Sequence, residues 1–192
     1  VYSNNLKGII NEHSSASNDI SNYAKIHLKA EKYILSKIKN TNNIILRLSN
    51  VFGYSNHSKK GKDYLANNLI ENAYKKKVIK IKSSSNFYRD LITLDFFLKS
   101  IFFIIKNQKI TTNIINISSG KSIDILTLSK KIQISYKKNF LKNIEIISNF
   151  NKTKKFNFTI NSKLINYRKF KVKNNITNEI NLYFRSINKS NG

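Results

Sequence analysis

Tyr23 and His27 stand four residues apart in the segment DISNYAKIHLKAEKYILSKIK, a spacing that puts both side chains on one helix face about a turn apart. A phenol, whose ordinary pKa is about 10, acts as general acid or base in hydride-transfer chemistry when a neighbouring cation stabilises its phenolate. The chain holds ten tyrosines, so the pair alone reads equally as part of a half-buried helix. Asn50, between an apolar run and Gly53, offers an amide to a ligand or forms a turn. Arg89 is one of four arginines; its planar guanidinium suits bidentate recognition of an oxyanion, with a salt bridge to Asp90 or another acid as the other reading. Without cysteine, disulfides, thiolate metal sites and cysteine nucleophiles are excluded. His13, His27 and His57 form no metal-ligand spacing, so no metal site is expected.

The elements that must carry these groups follow from periodicity. Residues 19 to 39 have helical spacing, with Ile20, Tyr23, Ala24, His27, Leu28, Ile34, Leu35 and Ile38 as the inward face, Glu31 as its exception, and Asp19 or Ser21 as N-cap. Asn42 to Gly53 reads as one buried strand, and a helix runs from Asp63. VIKIK (Val78 to Lys82) and YRDLITL (Tyr88 to Leu94) read as two strands joined by a polar turn. Leu94 to Gln108 is a buried helix, with Asp95 a structural residue at its N-terminus. Asn113 to Ile117 is a strand closed by a Ser-Ser-Gly turn and followed by a helix over Ser122 to Ile134. Beyond Lys137 the signal weakens to a strand at NIEIIS, a short helix at SKLINYRKF and a terminal helix at NEINLYFRSI. This order indicates an α/β fold.

Composition bounds the rest. The 192 residues carry a formal net charge of +25, and Ile, Lys and Asn make up 92 of them. All three have A/T-rich codons, so nucleotide bias accounts for the lysines without a polyanionic partner. With 40% hydrophobic residues the chain builds a core. No uncharged apolar run approaches the roughly 18 residues of a membrane span, and the N-terminus lacks the apolar core of a signal peptide. A soluble, cytoplasmic protein without membrane contact is the expectation. Position 1 is Val and there is no Met, so a processed chain or a fragment is expected.

Six short motifs occur in a telling order: VYS (Val1 to Ser3), INEHS (Ile10 to Ser14), YAKIHLKAE (Tyr23 to Glu31), RLSNVFG (Arg47 to Gly53), YRDLITLDF (Tyr88 to Phe96) and NISSGKSIDILTLSKKI (Asn116 to Ile132). The order resembles the C-terminal two-thirds of the extended short-chain dehydrogenase/reductases, more narrowly the NAD-dependent epimerase/dehydratase family that acts on nucleotide sugars. There the pieces run V-Y-G, I-x-E, Y-x-x-x-K-x-x-x-E, R-x-x-N-V-Y-G, R-D-F-I-x-V-x-D and N-I-x-x-G.

The resemblance implies the C-terminal part of a Rossmann-type doubly wound parallel sheet, residues 1 to 53 and 94 to 118. A small mixed α/β substrate-binding domain, residues 54 to 93 and 119 to 192, is interleaved with it. It implies NAD or NADP as cofactor and Tyr23 as the acid/base on a sugar hydroxyl. His27 falls where the family has a lysine that contacts the nicotinamide ribose. An imidazole carries its charge only part of the time near neutral pH, so slower or more pH-dependent proton transfer is expected. Tyr23, His27, Ser49 and Val51 would face the cofactor, and Asn50 and Arg89 the nucleotide-sugar substrate. Glu31 occupies the family's acidic position and reads as a helix-surface charge. Relatives commonly pair through the helix carrying Tyr23, so the resemblance also implies a homodimer formed through that helix.

The family's catalytic Ser or Thr would lie about three residues before Val1, and the G-x-x-G-x-x-G turn that meets the cofactor pyrophosphate is absent from the sequence. Productive NAD binding by these residues alone is therefore not expected. SSGKS (Ser118 to Ser122) lacks the leading glycine of a P-loop. Two other readings stand beside this one: a catalytically inactive remnant of the same fold, and a basic nucleic-acid-binding protein. The second rests on the eight Lys/Arg of residues 151 to 173, interleaved with Phe156, Phe158, Tyr167 and Phe170. It is disfavoured by scarce arginine and by lysine spread over every element.

Overall fold

The computed structural model describes residues 2, 7–14, 21–39, 41–54, 64–81, 88–107, 113–148, 158–166 and 169–190. Among the described residues nine strands and five α-helices alternate in an α/β order. The strands are β1 (Gly8–Ile10), β2 (Ile45–Leu48), β3 (Asn50–Phe52), β4 (Val78–Ile81), β5 (Tyr88–Thr93), β6 (Ile114–Ile117), β7 (Ser122–Asp124), β8 (Glu145–Ser148) and β9 (Phe158–Ile160). The helices are α1 (Asn22–Lys37), α2 (Leu65–Lys76), α3 (Leu94–Lys106), α4 (Ile125–Phe140) and α5 (Ile176–Ser190), with a short 3-10 turn at Lys163–Asn166.

Pairing is mostly parallel: β2 with β6, β3 with β5, β4 with β8, and β1 with β9, while β7 runs antiparallel to β5. Parallel neighbours require crossover connections, which α2, α3 and α4 supply. The single strand expected over residues 42 to 53 divides at Ser49. Its first half, β2, pairs with β6, and its second half, β3, pairs with β5, so one short stretch reaches two sheets. The segments at 78 and 88 are strands, but they join different partners. Three short strands, β1, β7 and β9, were not legible in the pattern; β7 occupies what reads as the first turn of the helix after Gly120.

Two principal cores form. In the larger, α2 (Leu69, Ile70, Ala73), α4 (Leu128, Ile132, Tyr136) and α5 (Ile180, Tyr183, Phe184, Ile187) interlock over Ile79 and Ile81 of β4. The i, i+3, i+4, i+7 spacing on α5 gives it one continuous apolar stripe. The other core joins Ile115 and Ile117 of β6, Ile92 of β5, and Phe96 and Ile104 of α3. α3, the most apolar of the helices in sequence and expected to be buried, buries only Phe96, Ser100 and Ile104 and leaves Leu98, Phe102 and Ile105 exposed. Thr93 caps it, accepting from the Phe96 N–H at 3.1 Å, and Asp95 pairs with Lys99 along the first turn at 2.8 Å. Among the described residues no helix is long and apolar enough to cross a membrane.

Candidate active site

Ser21 is the N-cap of α1, its Oγ accepting from the Ala24 N–H at 3.2 Å; Asp19, the other capping candidate, lies outside the described residues. Tyr23 and His27 touch, with ring centroids 4.2 Å apart. Tyr23 is 70% exposed and His27 is exposed too, so both polar tips are open to a ligand. The inward face expected for this helix is corrected. Only Ala24 and Glu31 of its sixteen residues are buried, while Leu35 and Ile38 are exposed.

Glu31, expected as a surface charge, is the helix's main anchor. Arg47 on β2 grips it with both arms of the guanidinium, Nε donating to Oε1 at 3.0 Å and Nη2 to Oε2 at 2.7 Å. Arg47 Nη1 also donates to the Tyr2 hydroxyl and to the Glu12 carbonyl, both at 3.2 Å. The Tyr2 hydroxyl in turn donates to Asn116 Oδ1 at 2.6 Å. Burial disfavours charge on Arg47, but its bonds to Glu31 and Tyr2 outweigh that and hold its pKa above the ordinary range. Glu12 Oε1 accepts the backbone N–H groups of Asn116 at 3.0 Å and Lys163 at 2.8 Å. One polar network thus ties α1, β2 and β6 together. The scarcity of arginine singled out no pairing in advance, because the partners stand sixteen positions apart.

The other candidates gather where β3 meets β5. Asn50 is exposed and donates from Nδ2 to the Asp90 carbonyl at 3.1 Å, so its side-chain oxygen is the end left to a ligand. Val51 is half-buried beside it. Arg89 lies half-buried on β5, donating to the Tyr88 carbonyl at 2.9 Å, and burial lowers its pKa from the ordinary value. Neighbouring strand residues point to opposite faces, and Asp90 turns inward to accept the Ser119 N–H at 2.9 Å. Burial raises the Asp90 carboxyl to about 6, partly offset by Ser119 and by the nearby Ser49 hydroxyl. Asp90 Oδ2 and Ser49 Oγ are nonetheless both buried short of hydrogen-bonded geometry.

Gly53 closes this stretch because there is no room for a side chain: a Cβ would meet Glu179 Oε1 at 2.7 Å and Leu94 Cβ at 2.9 Å. In the Ser-Ser-Gly turn Gly120 has φ +72°, a conformation glycine adopts without strain. Sequence reasoning passed over Asn174, which acts as a strand substitute along β5: it accepts the Thr93 N–H at 2.8 Å and donates to the Leu91 carbonyl at 2.7 Å. The aromatics of the nucleic-acid reading point inward where they are described. Phe158 is buried, and Phe170 packs edge-on against Phe96 and Phe103 at 5.9 and 5.1 Å between centroids; residues 151–157 and 167–168 lie outside the described residues.

Parallel strands joined by helical crossovers, with the candidate side chains at strand ends and on an adjoining helix, define a Rossmann-type α/β protein. A family model described as the NAD dependent epimerase/dehydratase family matches residues 1–118, and the chain belongs to that family. Solved structures agree in fold. UDP-glucuronic acid 4-epimerase from Bacillus cereus, in complex with NAD, is 18% identical with a TM-score of 0.73, covering 97% of this chain and 58% of that one. UDP-glucose 4-epimerase from Thermotoga maritima, with UDP-glucose, is 15% identical with a TM-score of 0.73, covering 98% of this chain and 60% of that one. dTDP-glucose 4,6-dehydratase from Bacillus anthracis, in complex with NAD, is 14% identical with a TM-score of 0.67, covering 96% and 58%. The chain therefore spans somewhat under two-thirds of the length of these structures. No curated protein matches it in sequence.

Proposed function

We propose that this chain belongs to an NAD(P)-dependent nucleotide-sugar epimerase, dehydratase or reductase in which Tyr23 is the acid/base. The observation that carries the reading is the Tyr23–His27 pair, exposed and in ring contact on a helix inside the family match. The residues present suit a nicotinamide ribose: an open hydroxyl and an open imidazole lie side by side. NAD or NADP, when bound, takes up and returns the hydride. Tyr23 moves the proton of the sugar hydroxyl, and His27 hydrogen-bonds a ribose hydroxyl and, when protonated, stabilises the phenolate. Val51 lines the nicotinamide end beside Ser49.

Arg89 and Asn50 hold the substrate in this reading, the guanidinium on the diphosphate and the amide oxygen on a donor of the nucleotide sugar. This reading divides the chain into a cofactor part, residues 1 to 53 and 94 to 118, and a substrate part, residues 54 to 93 and 119 to 192, with β9 of the latter paired to β1 and Leu164 packed into the core of β6 and α3. Pairing of two copies through α1 belongs to the same reading and is supported by the exposure of Ile26 and Tyr33 on that helix. So does a cytoplasmic setting, where nucleotide sugars are made. The test is incubation of the full protein with NAD and a panel of UDP- and dTDP-linked hexoses and uronic acids, followed by proton NMR of the sugar. Conversion of at least one is expected, as a new anomeric signal or a keto sugar. A full-length protein that leaves every member of the panel unchanged contradicts the assignment.

A further inference from the structure

We infer that Glu31, through its forked pairing with Arg47, sets the rotation of α1 and thereby presents Tyr23 and His27 to the site, acting as a positioning residue that touches neither substrate nor cofactor. The inference rests on the proposed role of Tyr23. A helix turns about 100° per residue. With Glu31 aimed at the sheet, His27 is offset around the axis by about 40° and Tyr23 by about 80°. Both side chains then lie on the flank of α1, and a slip of one residue would carry Tyr23 to a different side.

Little else prevents such a slip. Apart from Glu31 only Ala24 is buried on α1, and the remaining inward contacts, Leu28 and Ile34, are half-buried. Apolar contacts of that kind tolerate rotation, whereas two parallel N–H to oxygen bonds fix an angle. The Glu31 and Arg47 side chains are each 10% exposed, so competing water is largely shut out. Arg47 is itself immobilised: its backbone sits on β2 opposite Asn116 of β6, and its third nitrogen is held by Tyr2 and the Glu12 carbonyl. The Tyr2 ring lies under the guanidinium, 5.1 Å from its central carbon. The angle of α1 is thus referred to the β2–β6 pair through one carboxylate.

The decisive variant is the double substitution Glu31→Met/Arg47→Met in the full protein, because it buries no unpaired charge and keeps the side-chain volume. Arg47→Lys, which retains the charge and loses the fork, serves as the second variant. Nitroxide labels on Tyr33→Cys in α1 and Phe102→Cys in α3 are placed at exposed positions; these 192 residues hold no cysteine, and any cysteine elsewhere in the full protein is changed to serine. Pulsed electron resonance then reads the distance between the two helices. The expected result is a broadened or displaced distance distribution in the double variant and a smaller change in Arg47→Lys. With it, kcat falls tenfold or more on the converted sugar, while UDP affinity by calorimetry stays within twofold. An unchanged distance distribution, or a changed one with unaltered kcat, overturns the inference. If the parent protein converts no sugar, the proposed function fails, and the distance measurement still decides whether Glu31 sets the helix.

Discussion

Asp90 is 1% exposed, accepts one backbone N–H, and has its second oxygen buried short of a partner. Burial raises its pKa from 3.8 to about 6, so the folded state disfavours its ionised form. That difference corresponds to about 3 kcal/mol of folding free energy. The contribution is fully present below pH 4, where Asp90 is protonated folded or unfolded, and is lost as the pH rises through 6. Asp90→Asn keeps an oxygen for the Ser119 N–H and removes the charge. Urea unfolding at pH 5 and pH 8 should show the variant gaining stability over the parent by about 2 to 3 kcal/mol at pH 8 and by clearly less at pH 5. An equal gain at both pH values would mean that Asp90 is not the titrating group. The choice of Tyr23, His27, Asn50 and Arg89 as candidates was legible from residue type in a fixed motif order, and their roles belong to the proposed function. The environments of Glu31 and Asp90 were not, because each depends on a partner far along the chain, Arg47 sixteen residues away and Ser119 twenty-nine residues away.

Helix ends carry strain that the sequence pattern hides. α4 ends at Leu141, whose φ is +55° and whose N–H closes the helix onto the Lys137 carbonyl at 2.9 Å. An L-residue with a side chain is disfavoured there by roughly 1 kcal/mol relative to glycine, and Leu141 is 90% exposed, so it offers no burial in return. Leu141→Gly should therefore raise the urea midpoint by the equivalent of about 1 kcal/mol; an unchanged or lower midpoint would show that the left-handed turn is not costly. The five α-helices were legible because each has an apolar stripe at helical period, most clearly Ile180, Tyr183, Phe184 and Ile187 on α5. The strands at 78, 88, 114 and 145 were legible too, and the shortest ones were missed. β1, β7 and β9 are three residues each, too short for a period-two pattern to register. The apolar run at 42 to 53 concealed a change of sheet, because both halves are similarly hydrophobic and only the pairing partner differs.

Across the whole molecule, helix-to-helix packing stabilises the larger core, with Phe184 fully buried and in edge contact with Tyr136 and Phe140 at 5.6 and 5.5 Å. Phe184→Ala should cost about 3 to 5 kcal/mol in urea unfolding followed by circular dichroism; a loss under 1 kcal/mol would indicate that this core is not continuous. The candidate site draws on α1, held to β2 through Glu31 and Arg47, and on the β3–β5 pair, and the family match spans both. The central claim is that the exposed phenol of Tyr23 moves the proton. Tyr23→Phe in the full protein removes that hydroxyl from an exposed position and leaves the core intact. Steady-state turnover of the converted nucleotide sugar with NAD should fall by about 100-fold or more, with KM within a few-fold of the parent. Turnover within twofold of the parent would contradict the account.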